Sequence, residues 1–144
     1  MFPWIEIHEM KSLFTLLGLT LLAAGCSPKI APDRYWSEKR WVLTEMKEVP
    51  VQLSGTRRDA YLDFNWAEKR FSGNGGCNSI SGNYTLEKRD LRFGEVASTK
   101  MSCPDLAFEN TFLETLRDVD HYEMENDRLM LKDGRKVVLV FQAR

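Results

Sequence analysis

The chain has 144 residues, with 20 basic side chains against 21 acidic ones and a formal net charge of −1. That length suits one domain. The charge balance excludes the concentrated basic surface that nucleic-acid binding requires.

Residues 1–9, Met-Phe-Pro-Trp-Ile-Glu-Ile-His-Glu, carry two acids and no base, which does not suit the start of a secretory signal. Met10-Lys11 does, so this reading starts the protein at Met10 and gives Trp4 and His8 no functional weight. Residues 10–25 then form the signal. Lys11 supplies the positive charge, and Leu13 to Ala24 is apolar or small on every face. Such a run is too short to span a bilayer and lacks the polar face of a core helix. Its ending, Leu22-Ala23-Ala24-Gly25-Cys26, resembles the bacterial lipobox, in which the cysteine receives a diacylglycerol thioether and cleavage occurs before it. Ala23 stands where leucine is commonest, with Leu22 one place early, and small residues are tolerated there. The resemblance implies that Cys26 is the lipidated first residue. Buried acyl chains contribute about 0.8 kcal/mol per methylene, so a multiply acylated end holds a small domain to a membrane. Ser27 follows, where an aspartate would argue for inner-membrane retention. The implied address is the outer membrane, facing the periplasm.

Removing residues 1–25 leaves 119, enough for one modest core. Lys11, Glu6 and Glu9 leave with the precursor, so 19 basic side chains face 19 acidic ones. The basic pairs Arg57-Arg58, Lys69-Arg70 and Lys88-Arg89 are scattered and read as solvated strand edges or turns. Residues 26–38 have two prolines and no periodicity, and read as an extended lipidated tether. Trp36 and Trp41 mark where packing begins, and the folded domain covers 39–144.

From there the pattern is mostly β. Trp41–Met46 alternates, with Trp41, Leu43 and Glu45 on one face. Pro50–Asp59 is a turn-rich connection. Tyr61–Trp66 places Leu62, Phe64 and Trp66 together, and Lys69–Gly73 pairs back across Ala67-Glu68. Gly82–Glu87 and Asp90–Phe93 form a hairpin around Lys88-Arg89, and Val96–Met101 reads as a further strand. The period then changes to 3.6. Leu106, Glu109, Asn110, Leu113 and Leu116, with Phe112, predict the only mature helix over 104–117. Ser102, Pro104 and Asp105 mark its start. Three strands close the chain, His121–Glu125, Arg128–Lys132 and Val137–Gln142, with Asp133-Gly134 as a hairpin turn. Val137–Phe141 is the most continuously apolar and reads as central. The fold class is therefore mainly β (α+β): a small barrel-like or strongly curled antiparallel sheet of about eight strands, with one helix inserted late.

The stretch Phe71–Tyr84 holds four of the nine glycines around Cys77. Such density implies positive φ or a close approach of backbones. Cys77 and Cys103 could serve as nucleophile, metal ligands or a bridge. A Cys–His pair needs His121, the only mature histidine, beside one of them. A metal site needs three or four ligands, which two cysteines and one histidine barely supply. In an oxidising compartment, with Cys26 consumed by lipid, a Cys77–Cys103 disulfide is favoured. It would tie the glycine loop to the helix start across a 26-residue span, worth roughly 3 kcal/mol. Gly73-Asn74-Gly75-Gly76 lacks the Lys-Ser/Thr and following helix of a phosphate loop. Asn78 is expected to hydrogen-bond its own loop. Glu109, Glu114, Asp118 and Asp120 read as a solvated helix face.

Gly75-Gly76-Cys77-Asn78, Gly82-Asn83-Tyr84, Thr99-Lys100-Met101-Ser102-Cys103-Pro104, and then Glu109 and Phe112-Leu113, together resemble the META domain of HslJ-like bacterial lipoproteins. The resemblance runs from about Trp41 to Gln142. It implies a barrel-like fold with a packed helix and a link to envelope stress and antibiotic tolerance. It implies no enzymatic activity. Gly75, Gly76, Cys77, Asn78, Gly82, Tyr84, Thr99, Met101 and Cys103 become structural motif residues, with no catalytic residue, cofactor or metal.

The functional expectation is a monomeric, non-enzymatic lipoprotein held to the membrane through Cys26, an adaptor for another envelope protein. The alternative is a binder of a hydrophobic small molecule or lipid chain, with Trp41, Phe64, Trp66, Phe71, Tyr84 and Phe141 lining the barrel interior. Those side chains equally suit a solid core, which is the favoured state in a domain of this size.

Overall fold

The computed structural model describes residues 32–55, 58–104 and 106–144. The expected early start, signal and lipidation at Cys26, and most of the expected tether, lie outside these residues.

A short helix α1 (Pro32–Ser37) leads into β1 (Arg40–Met46), β2 (Tyr61–Asn65), β3 (Arg70–Asn74), β4 (Ser79–Glu87) and β5 (Asp90–Ser98). A second helix, α2 (Leu106–Asp118), precedes β6 (His121–Glu125), β7 (Arg128–Asp133) and β8 (Lys136–Ala143). All eight strands pair antiparallel in sequence order, and β8 pairs back onto β1 to close a barrel. The expected mainly β, barrel-like sheet with a late helix is what the chain forms.

Alternation of buried and exposed residues explains most of the ring. Leu62 and Phe64 of β2, Phe71 and Gly73 of β3, and Leu91 and Phe93 of β5 point inward, with polar neighbours outward. In β8 the run Val138–Phe141 is buried throughout. That strand is not central, because in a closed ring each strand has two neighbours, here β7 and β1. Inside, aromatic rings meet edge to face: Trp36 on Phe64 and Tyr122, Phe64 on Tyr84, and Phe71 on Phe93. Such pairs add about 0.5–1.5 kcal/mol each beyond burial.

Several expectations are corrected. Residues 32–37 are helical rather than extended tether, and so α2 is not the only helix. α1 is held because Trp36 is buried among Phe64 and Tyr122 and the Ser37 hydroxyl accepts a bond from the Trp66 amide. Tyr35 and Lys39 both bond the Asp127 carboxylate at the β6–β7 turn. Glu45 faces outward, because β1 carries an extra residue between Leu43 and Glu45 relative to β8 and the bulge turns Met46 inward. Trp66 is only half-buried at the β2–β3 turn, its ring under the Lys69 ammonium.

The separate strands expected at 90–93 and 96–101 are one strand ending at Ser98. Phe93 and Val96 face Tyr84 and Gly82, so β5 absorbs one extra residue as a bulge instead of breaking at Gly94. The glycine stretch is also mostly strand. Only Gly75–Asn78 connects β3 to β4, and Ser79–Gly82 lies within β4.

Hairpin directions give the barrel two distinct ends. One carries α1, the β2–β3, β4–β5 and β6–β7 turns and Arg144. The other carries the 47–60 connection, the Gly75–Asn78 loop and the start of α2. α1 stoppers the first end. Replacing Trp36 with Ala is expected to lower unfolding stability by about 3–5 kcal/mol, as for other buried large-to-small aromatic changes. Urea denaturation followed by circular dichroism measures this, and a loss below about 1 kcal/mol would mean that α1 is not part of the core.

Candidate functional site

The strongest polar constellation lies where the β3–β4 loop, the end of β5 and α2 meet. It starts with backbone geometry. The Asn74 side chain accepts from the Gly76 amide at 2.7 Å, and the Gly75 amide donates to the Asn78 carbonyl at 2.8 Å. Gly76 has φ +107°, a conformation that L side chains rarely adopt. A Cβ on Gly75 would lie 2.8 Å from the Glu109 Cγ and Oε2, so the missing side chain makes room for that carboxylate.

Glu109 is 3% exposed, and Asn78 is 2%. The Asn78 backbone amide donates to Glu109 Oε2 at 2.6 Å, its side-chain Nδ2 donates to Oε1 at 2.8 Å, and the Ser98 hydroxyl reaches Oε1 at 3.2 Å. Asn78 Oδ1 accepts from the Met101 amide at 2.7 Å and the Thr99 hydroxyl at 3.1 Å. The Thr99 hydroxyl in turn accepts from the Ser79 amide at 3.1 Å. Asn78 therefore uses both the donor nitrogen and the acceptor oxygen of its side-chain amide. Among the described residues no cation pairs with Glu109. Three neutral donors take the place of a salt bridge, and an unpaired charge there would cost several kcal/mol.

Cys77 and Cys103 form a disulfide, Cα–Cα 6.1 Å across a span of 26 residues. It closes the same junction beside Asn78. Met101 contributes its backbone while its side chain is 57% exposed. The remaining motif residues act elsewhere. Gly82 pairs with Phe71 and Val96 inside the sheet, and buried Tyr84 donates its hydroxyl to the Asn65 carbonyl at 3.3 Å.

One expectation fails here and one holds in part. Glu109 is not on a solvated face, and the Asn78 side chain serves its own loop only through Cys77 Sγ, 3.4 Å from Nδ2, while its other bonds run to Glu109, Thr99 and Met101. Glu109 and Asn78 are buried against each other across 31 residues of chain. The buried face of α2 is Glu109, Phe112, Thr115 and Leu116, which leaves Leu106 39% exposed and Asn110 exposed. Glu114 and Asp118 are exposed as expected. The reciprocal carboxamide–carboxylate pairing was beyond sequence periodicity, although an acid in helical register with Phe112 and Leu116 was a signal for it.

The arrangement is chemically closed. Both Glu109 oxygens are occupied by donors, and both sulfurs are bonded to each other. His121 sits at the start of β6 against Asp90, a nine-residue strand away from Ser98 and the disulfide. The structure therefore does not assemble the Cys–His pair that a thiol nucleophile would need. Among the described residues no group of three or more His, Cys, Asp or Glu side chains could hold a metal.

The META domain family model matches residues 35–144. The chain belongs to the META domain family. Its fold is similar to that of a protein from Burkholderia xenovorans solved by NMR, with a TM-score of 0.61 and 25% identity over 78% of this chain and 86% of that one. A DUF4847 family protein from Bacteroides vulgatus, solved by crystallography, shares the fold at a TM-score of 0.58 and 15% identity, over 78% of this chain and 96% of that one. No curated protein matches the chain.

In this META domain the junction is a structural lock. Asn78→Ala is expected to cost about 3–5 kcal/mol in urea unfolding, because it strands a buried carboxylate. Replacing Asn78 by Ala and Glu109 by Leu together should cost clearly less than the two single changes summed. Strict additivity would show that the two side chains do not interact. Cys77→Ser with Cys103→Ser should lower stability by roughly 3 kcal/mol. Intact mass of the parent should rise by two hydrogens on reduction, and no rise would mean that the bridge is absent.

Proposed function

We propose that this META domain is a non-enzymatic lipoprotein, anchored through Cys26 to the periplasmic face of the outer membrane, where it acts as an adaptor for another envelope protein under stress or antibiotic challenge. The observation that carries the reading is the lipobox-like ending at Cys26, placed so close to the folded barrel. Five residues separate Cys26 from the start of α1 at Pro32, a reach of at most about 20 Å. Such a short tether would hold the α1 end of the barrel toward the membrane.

The opposite end would then face the periplasm. It carries the motif junction and the large apolar side chains that the described residues leave uncovered: Leu53, Met101, Leu106 and Val137, 45%, 57%, 39% and 44% exposed. Met101 and Leu106 flank a groove of about 430 Å³ that Thr99, Lys100, Asn110 and Leu113 also line. A rigid, closed junction beneath an uncovered apolar rim suits a docking surface better than a reaction centre.

The alternative, a hydrophobic ligand or lipid chain inside the barrel, gains less support. Trp41, Phe64, Phe71, Tyr84 and Phe141 are buried against one another and against Trp36, so the chain's own aromatics occupy the interior.

The test is in-cell crosslinking of the lipidated protein under envelope stress, followed by affinity capture and mass spectrometry. The comparison is a secreted form with Cys26 replaced. One dominant envelope protein enriched only with the lipidated form is the expected result. Full recovery of bait without such a partner, or restoration of every deletion phenotype by the unlipidated form, would overturn the proposal. An apolar molecule retained in native mass spectrometry would favour the alternative.

A further inference from the structure

The barrel has one thin seam. β6 and β7 share five register pairs, and so do β3 and β4, but β5 and β6 share one, Asp90 with His121. Two backbone bonds flank it, from the Leu91 amide to the Asp120 carbonyl at 3.1 Å and from the Tyr122 amide to the Arg89 carbonyl at 3.0 Å. The cause is α2, inserted between these two strands, which leaves them only one end in common.

Both imidazole nitrogens of His121 meet carboxylates at this pair. Nδ1 lies 2.7 Å from Asp120 Oδ1, and Nε2 lies 3.1 Å from Asp90 Oδ1. A neutral imidazole has one N–H, so it can donate to only one of them. Its other nitrogen would then turn a lone pair toward a carboxylate oxygen. The imidazolium donates to both, and each bond is charge-assisted.

We propose that His121 is a proton-operated clamp across the barrel seam: as the imidazolium it ties β5, through Asp90, to the start of β6, through Asp120, and release of its proton to solvent frees one carboxylate and loosens the seam.

The surroundings favour this over an incidental surface pair. Asp120 is fixed from a second side by the Gly134 amide at 2.9 Å, so it offers His121 a set position. Across the strand from His121, the Lys132 ammonium is engaged by Glu123 at 2.8 Å rather than by either aspartate. Arg92 of β5 acts on Asp120, and Arg89 on Glu123. Hydrogen bonds from His121 and then from the Gly134 amide hold the Asp120 carboxyl below its usual range, against a smaller opposing effect of burial.

The sign follows from these groups. A carboxyl lowered on folding stabilises the fold above its unfolded range, and that contribution is lost as pH falls through its folded value. Both His121 bonds need the second ring proton, and loss of that proton removes one of them. The seam is therefore tightest where Asp120 is ionised and both ring nitrogens of His121 carry a proton.

The experiment is amide hydrogen exchange read by NMR on the full mature chain with its disulfide intact, at pH 5.5 and pH 8, corrected for the intrinsic change in exchange rate. Protection at the Leu91 and Tyr122 amides should fall about tenfold at the higher pH, the effect of one charge-assisted bond. Amides of the β2–β3 pair should hold their protection. His121→Gln, which keeps a donor but cannot titrate, should abolish the pH dependence at the seam. Asp90→Asn serves as a second variant and should reduce it. Nitrogen-15 shifts of the ring at pH 5.5 should show both nitrogens protonated. Equal seam protection at the two pH values in the unaltered chain would overturn the clamp. So would a His121→Gln variant that keeps the pH dependence, or a ring carrying one proton at pH 5.5.

Discussion

A carboxylate buried without a cation must be met by donors arranged in advance, and Glu109 imposes that demand on two separate segments. Asn78 answers with its backbone amide and its side-chain amide together, and Ser98 adds a hydroxyl. To bring Asn78 there, the β3–β4 loop must pass against α2 so closely that position 75 has no room for a Cβ. Asn78 then spends its acceptor on Thr99 and Met101, which fixes the path from β5 into α2. The disulfide closes the same circuit covalently. Removing Asn78 leaves the buried Glu109 carboxylate without two of its donors, so the pair behaves as a unit.

That lock allows a helix to interrupt a barrel. Hairpins close most of the ring with local pairings, but α2 separates β5 from β6 and leaves one register pair between them. Phe112 and Leu116 of α2 are buried with the interior, Phe112 near Phe141, so the helix contributes core where ladder is missing. Its first turn is held by Glu109 at one end of β5, and the chain beyond its last turn meets β5 again through Asp120, His121 and Asp90 at the other end. The two polar contacts differ in exposure. The first is sealed from water, whereas His121 and Asp90 are 45% and 62% exposed in their side chains and so can exchange protons with the medium.

The two ends of the barrel also divide the labour that the proposed function needs. Trp36, Tyr35 and Ser37 fasten the incoming chain at one end, by burial and by bonds to Asp127 and Trp66. The motif junction and the uncovered Met101 and Leu106 lie at the other. On the proposed reading, the length of the barrel would keep the tether and the docking rim apart.

Period-two alternation made most strands and all of the short hairpins legible, because burial of one sheet face is a local pattern that residues i and i+2 record. The pairing of Cys77 with Cys103 was legible too, since few other partners existed. What stayed hidden depended on contacts distant in sequence. Helical spacing located α2 but not its rotation, which is decided by the Asn78 amides waiting 31 residues upstream for Glu109. Trp36 looked like the edge of a tether because six residues cannot show a helix, and α1 is held by packing rather than by propensity. Glu45 and Trp66 were misassigned because a bulge in β1 and a turn after β2 each break an alternation that the residues alone continue. The sequence by itself thus determined the family, the mainly β class and the chemistry available to the motif, all of which reside in residue type and local spacing. Only the tertiary structure decided where the polar groups of that motif face, that His121 bridges two aspartates, and which strands share the thin seam. Those outcomes are set by the geometry of a closed ring, which no local pattern encodes.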